Sequence, residues 1–129
     1  MRVRVGYFKN FKSANTILVS GDEEGLQRLA GVLRSLEDPN ARPVELHLLP
    51  FAEVRGDVEL TARPVDRELG VRRLGSASHF AWHHSSEGWL ESAEKIEAVA
   101  RGSGGHCYLG ATPAGDAVVM VSKGEYDES

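Results

Sequence analysis

Four of the five histidines, His79, His83, His84 and His106, fall in the second half of the chain, and with Cys107, the single cysteine, they are the residues best suited to do chemistry. On a helix, His79 and His83 would stand one turn apart and could share a metal ion. The run Ser78-His79-Phe80-Ala81-Trp82-His83-His84 reads instead as a strand, with Phe80 and Trp82 on one face and His79, Ala81 and His83 on the other. At ~3.3 Å per residue, His79 and His83 then lie about 13 Å apart, too far for one metal to bridge. His83 could still meet His106 from a neighbouring strand, but no Asp, Glu or second cysteine stands beside them to complete a zinc set. The expectation is no metal and no cofactor, with the histidines hydrogen-bonded, exposed or in contact with a partner. Cys107 directly follows His106, and adjacent strand residues point to opposite faces, so a buried unreactive thiol is expected rather than a nucleophile.

Other catalytic signals are weak. Gly102-Ser103-Gly104-Gly105 follows a helix and precedes a strand, whereas phosphate loops lead from a strand into a helix N-terminus. No G-x-S-x-G, H-E-x-x-H or G-K-[ST] pattern occurs. The chain therefore reads as non-enzymatic. A small ligand-binding or enzymatic domain using His83, His84 and His106 remains the alternative, and a homodimeric module joined through an edge strand is another.

The elements that must position these residues follow from hydrophobic spacing. Residues 2–8 and 15–20 read as strands. Ser20 sits three residues before Glu23, the capping-box spacing, and opens a helix whose Leu26, Leu29, Ala30, Leu33 and Leu36 form one apolar stripe that ends before Pro39. Residues 43–48 and 58–63 alternate as half-buried strands, while 65–77 are compatible with a short strand or a helical turn. Ser85 and Ser86 are both N-cap candidates for a second helix striped by Trp89, Ala93, Ile96 and Ala100. Residues 106–109 and 117–122 close the chain as two strands. The order of strand, cap, helix, strand and strand runs from Asn15 to Arg63 and again from His79 to Ser122, and a 63-residue shift sets Gly25 on Gly88, Leu26 on Trp89, Ala30 on Ala93 and Leu33 on Ile96. The expected fold is one α+β domain over 1–129, a two-layer sandwich of a mainly antiparallel sheet and two amphipathic helices, with a possible βαββ duplication.

Charge is unevenly spread. Residues 1–75 carry 12 Lys/Arg against 11 Asp/Glu, and residues 76–129 carry 3 against 8. Glu87, Glu91, Glu94 and Glu97 form an acidic row at helical spacing, and Glu125, Asp127 and Glu128 cluster at the C-terminus. Such faces attract basic partners, although they also serve simply to keep a small domain in solution. Arg63, Arg67, Arg72 and Arg73 are interleaved with Asp66 and Glu68 and lack neighbouring aromatics, which disfavours nucleic acid. No apolar run approaches the ~20 residues that span a bilayer, and residues 1–10 lack the apolar stretch of a secretory signal, so the expected location is the cytoplasm, away from any membrane.

Gly105-His106-Cys107-Tyr108-Leu109, followed by Val118-Val119-Met120-Val121 and Ser122-Lys123-Gly124-Glu125-Tyr126, resembles a pattern in small bacterial immunity proteins of polymorphic toxin systems. In that pattern a Gly-His-Gln-Tyr-Leu strand leads to a hydrophobic strand ending Ser-Lys-Gly-Glu-Tyr. The chain departs from it at Cys107, where glutamine is usual, and at Gly110, where an acidic residue is usual. The resemblance implies a protein that binds and neutralises a cognate toxin without turnover, and the acidic faces suit a basic one. Partner contact would then fall on His84, His106, Tyr108, Glu125, Tyr126, Asp127 and Glu128. Trp82 and Trp89 are further aromatic candidates, but each lies on an apolar stripe and is expected in the core.

Overall fold

Two amphipathic helices interrupt a series of strands, as the hydrophobic spacing requires. The computed structural model of the chain describes residues 2–11, 14–75, 78–102, 105–109 and 116–123. Along these run β1 (Val3–Phe11), β2 (Ala14–Gly21), α1 (Glu23–Arg34), β3 (Val44–Glu45), β4 (Ala52–Val54), β5 (Glu59–Pro64), β6 (Gly70–Arg73), β7 (His79–His84), α2 (Ser86–Arg101), β8 (Gly105–Leu109) and β9 (Val118–Lys123). The result is an α+β sandwich. Its strands form two sheets, ordered β4-β1-β2-β9-β8 and β3-β5-β7-β6. Hairpin pairings are antiparallel, whereas the central pairs β2–β9 and β5–β7, and the edge pair β1–β4, are parallel. Antiparallel pairings thus lead by only four to three. One buried cluster joins everything: Val3, Val5, Ile17 and Val19 from the first sheet, Leu60, Val71, Phe80 and Trp82 from the second, and the stripes of both helices.

The order of elements anticipated as a repeat is present in the topology. β1–β2 and β6–β7 are equivalent hairpins, and the helices that follow them begin with caps 63 residues apart, Asp22 and Ser85. Val44 stands opposite Ala62, and Cys107, 63 residues further on, stands opposite Val121, so the stretch between these strands is four residues shorter in the second half. The halves are nevertheless entwined. β1 and β2 of the first half are completed by β9 and β8 of the second, and β7 and β6 of the second by β5 and β3 of the first. The two sheets touch where the Asp116 amide donates to the Val71 carbonyl at 2.7 Å and the Arg73 amide to Asp116 Oδ2 at 2.8 Å.

Two local expectations need correction, and one open alternative is decided. Ser20 does not cap α1. It lies in β2, 4% exposed, paired with Arg4 on one side and Ser122 on the other. The strand runs on through Gly21, so the cap falls to Asp22, whose carboxylate accepts from the Gly25 amide at 2.7 Å. The strand expected over 43–48 stops after Glu45 and gives way to a 3-10 turn, Leu46–Leu48. The Leu60 amide of β5, opposite the point where β3 stops, donates instead to His47 Nδ1 at 3.0 Å. Within the undecided 65–77 segment, Gly70–Arg73 is a strand, β6, antiparallel to β7.

Candidate functional site

The N-terminus of α2 collects the polar groups that the core excludes. Ser85 caps it, its hydroxyl accepting from the Gly88 amide at 3.2 Å. Alternation along β7 puts His84 on the same face as Phe80 and Trp82, and its ring packs edge-on against Trp89 with centroids 4.8 Å apart. His84 is 6% exposed. Its Nδ1 meets the carboxylate of Glu68, and its Nε2 lies 3.2 Å from the Ser92 hydroxyl on the next turn of α2. Glu68 in turn accepts from the Ser85 hydroxyl, and from the Ser85 amide at 2.9 Å.

Electrostatics decide the protonation of this chain of groups. Burial holds the His84 imidazole below its ordinary value, against the opposing pull of the Glu68 carboxylate. Burial by itself would raise the Glu68 carboxyl, but the Ser85 hydrogen bonds and the contact with His84 outweigh it and leave the group below its usual range. Neutral His84 therefore donates Nδ1–H to ionised Glu68 and accepts the Ser92 hydroxyl at Nε2. The order serine, histidine, carboxylate is that of a hydrolytic relay. Ser92 is only 3% exposed, however, and its Oγ lies within the packed interior where no substrate carbonyl could approach it. The network orients a helix terminus. Gly88 is the residue that admits it, since a Cβ there would collide with the Glu68 carboxylate and approach His84 Nδ1 to 2.8 Å.

Above the network opens a cleft of about 640 Å³, with Glu68, His84, Ser85 and Gly88 at its base, Glu87, Leu90, Glu91, Glu94 and Lys95 along α2, and Tyr108 of β8 as the far wall. Tyr108 is 43% exposed. Beyond it a shallower depression continues past His106 and Cys107, where the His106 and Tyr108 rings meet edge to face at 5.7 Å. Carboxylates dominate the cleft, with Lys95 as a lysine among them. Glu97, the last of the acidic row, turns away and pairs with Arg34 at 2.7 Å.

The expected site residues are partly brought together. His84 and Tyr108 line one cleft and His106 borders it, whereas His83 points to the opposite face of β7, towards Arg63 and Arg72. His83, His84 and His106 do not form one cluster. Trp82 and Trp89, 1% and 0% exposed, belong to the core. Glu125, Tyr126, Asp127 and Glu128 lie outside the described residues. Cys107 is half-buried, and burial raises its thiol above the ordinary value. His84 has a carboxylate companion, Glu68, missed because it is 16 residues away in a segment of undecided structure. The repeat held the clue, for Gly88 mirrors Gly25, a glycine that leaves room for the Arg2 backbone at the start of β1. No three His, Cys, Asp or Glu side chains among the described residues are grouped to hold a metal, and no described helix is long and apolar enough to cross a membrane. Comparison with family models, curated proteins and solved structures returns no match to this chain.

Proposed function

We propose that the chain is a non-catalytic protein-binding domain, an immunity protein that binds and neutralises a cognate bacterial toxin in the cytoplasm. The observation that carries this reading is an exposed Tyr108 standing against the acidic wall of α2 within one cleft. An aromatic ring supplies large contact area at small entropic cost, and carboxylates around it steer a cationic surface into register. The resemblance of Gly105–Leu109 and Ser122–Tyr126 to the immunity-protein pattern supports the same assignment, and Tyr108 belongs to both arguments. Binding without turnover suits a histidine whose two nitrogens are already engaged by Glu68 and Ser92.

Carboxylates at an interface rim act mainly on encounter, whereas a buried aromatic anchor acts mainly on dissociation. Replacing Glu87, Glu91 and Glu94 by glutamine is expected to slow association with the toxin, most strongly at low salt. Tyr108→Ala is expected to accelerate dissociation and cost about 2 kcal/mol or more. The partner to test is the product of the adjacent reading frame, by co-expression survival and by binding kinetics at two ionic strengths. If that product neither harms cells nor binds, the immunity assignment fails; if it binds and both variants behave as the parent, the cleft is the wrong surface.

A further inference from the structure

On the face of β7 turned away from His84, the two neighbouring strands bring an arginine to either side of His83. His83 is in register with Arg63 of β5 on one side and with Gly70 of β6 on the other, and Arg72 lies two residues further along β6. With strands ~4.8 Å apart and ~3.3 Å per residue, both arginine side chains are long enough to reach the His83 ring from opposite sides. Gly70, at φ +73°, adds no side chain between them. Neither arginine has a carboxylate partner among the described residues; the Arg72 Nε–H bonds the Leu69 carbonyl at 3.4 Å, which steadies its guanidinium. Of the carboxylates close by, Glu68 is held by Ser85 and His84, Asp116 accepts from the Arg73 amide at 2.8 Å, and Asp66, three residues after Arg63, makes no ion pair with either arginine. Glu59 is tied to His79 at 3.4 Å, about 13 Å along β5 from Arg63.

From this arrangement we infer that Arg63, His83 and Arg72 form an oxyanion site that takes a phosphate group. Two planar guanidinium forks match the paired oxygens of a phosphate, and a neutral imidazole adds a donor between them. His83 is the reporter of the site: burial, then the charges of Arg63 and Arg72, hold its imidazole below the ordinary value, and Nδ1 is hidden from solvent without a partner. A donor role for the ring therefore falls to Nε2, because Nδ1 is hidden from solvent. The site is separate from the acidic cleft and stands whether or not the protein-binding assignment holds.

The full chain should be titrated with sodium phosphate at constant ionic strength, with chloride as the balancing anion, while the histidine ring signals are followed by NMR. The expected result is a saturable shift of the His83 signals, with those of His79 and His106 unmoved. Arg63→Gln combined with Arg72→Gln should weaken the effect at least about tenfold, the loss expected for a charge-assisted contact, without changing the thermal midpoint. Should the pair disturb folding, Arg63→Gln alone carries the test, with Arg67→Gln as the control of equal charge change. A nucleoside monophosphate and an oligonucleotide without terminal phosphates distinguish the source: stronger binding of the first assigns a free phosphoester, of the second a nucleic-acid backbone. A non-saturating His83 shift, or one that persists undiminished without the arginines, overturns the site.

Discussion

Gly88 sets the tolerance of the polar network, because the only side chain that fits beside Glu68 and His84 is none. Gly88→Ala should therefore overpack the α2 terminus and destabilise the domain by about 1–3 kcal/mol. In a Glu68→Ala background the penalty should shrink without vanishing, since His84 Nδ1 also stands within 2.8 Å of the added carbon. A double-mutant cycle by urea unfolding measures this, and additive effects would mean that Glu68 does not occupy the space. The same network gives stability a pH dependence of definite sign. Unfolded His84 titrates near 6.5 and folded His84 below it, so the unfolded chain binds the extra proton, and stability present above about 6.5 is lost as the pH falls. Glu68, depressed below 4.5, extends the loss to lower pH in the same direction. His83 is also depressed, so His84→Gln should flatten the slope between pH 7 and 5 rather than abolish it. An unaltered dependence of the urea midpoint on pH would contradict a buried neutral His84.

Helix caps show which elements can be read locally and which cannot. Ser85 was legible as a cap because β7 ends just before it, one residue ahead of α2. Ser20 has the same chemistry and even the spacing to Glu23, yet β2 extends past it because β9, about a hundred residues away in sequence, pairs with it through Ser122. No local pattern encodes that pairing. Asp22→Ala is accordingly expected to cost about 1 kcal/mol, while Glu23→Ala, whose carboxylate caps no backbone amide, should cost far less; thermal melts of the two variants decide. The short β3 has a similar origin, since only the tertiary fold brings His47 to the Leu60 amide. Strands and helices carried by periodicity, such as β7 and both helical stripes, were legible in full. Glu68 was not, because its role depends on where the five-residue connector between β5 and β6 crosses the end of α2.

At the scale of the molecule, the order of the repeat was legible but its exchange of strands was not. Equal spacing in sequence is compatible with two stacked halves or with two entwined ones, and only pairing separates them. Here each central strand pairs with a strand of the other half: β2 with β9, from Thr16–Val118 to Ser20–Ser122, and β7 with β5, from Glu59–His79 to Pro64–His84. A fragment of residues 1–66 would keep β1, β2 and α1 but leave the far side of β2 unpaired, and it would strand β3 and β5 without β7. A fragment of residues 67–129 would leave β9 and β7 equally bare. Neither could bury its half of a core in which Val19, Trp82, Leu29 and Ile96 belong to one cluster. Each fragment alone should show no cooperative unfolding transition by circular dichroism, whereas the two refolded together should recover one as a one-to-one complex. The central pairings also span long stretches of chain, and contacts of high sequence separation slow folding because loop closure precedes their reward. Reassembly from fragments should be slower still and second order in protein concentration. A cooperative melt from either fragment alone would show that its half closes on itself, and that the exchange of strands is not what holds the two sheets together.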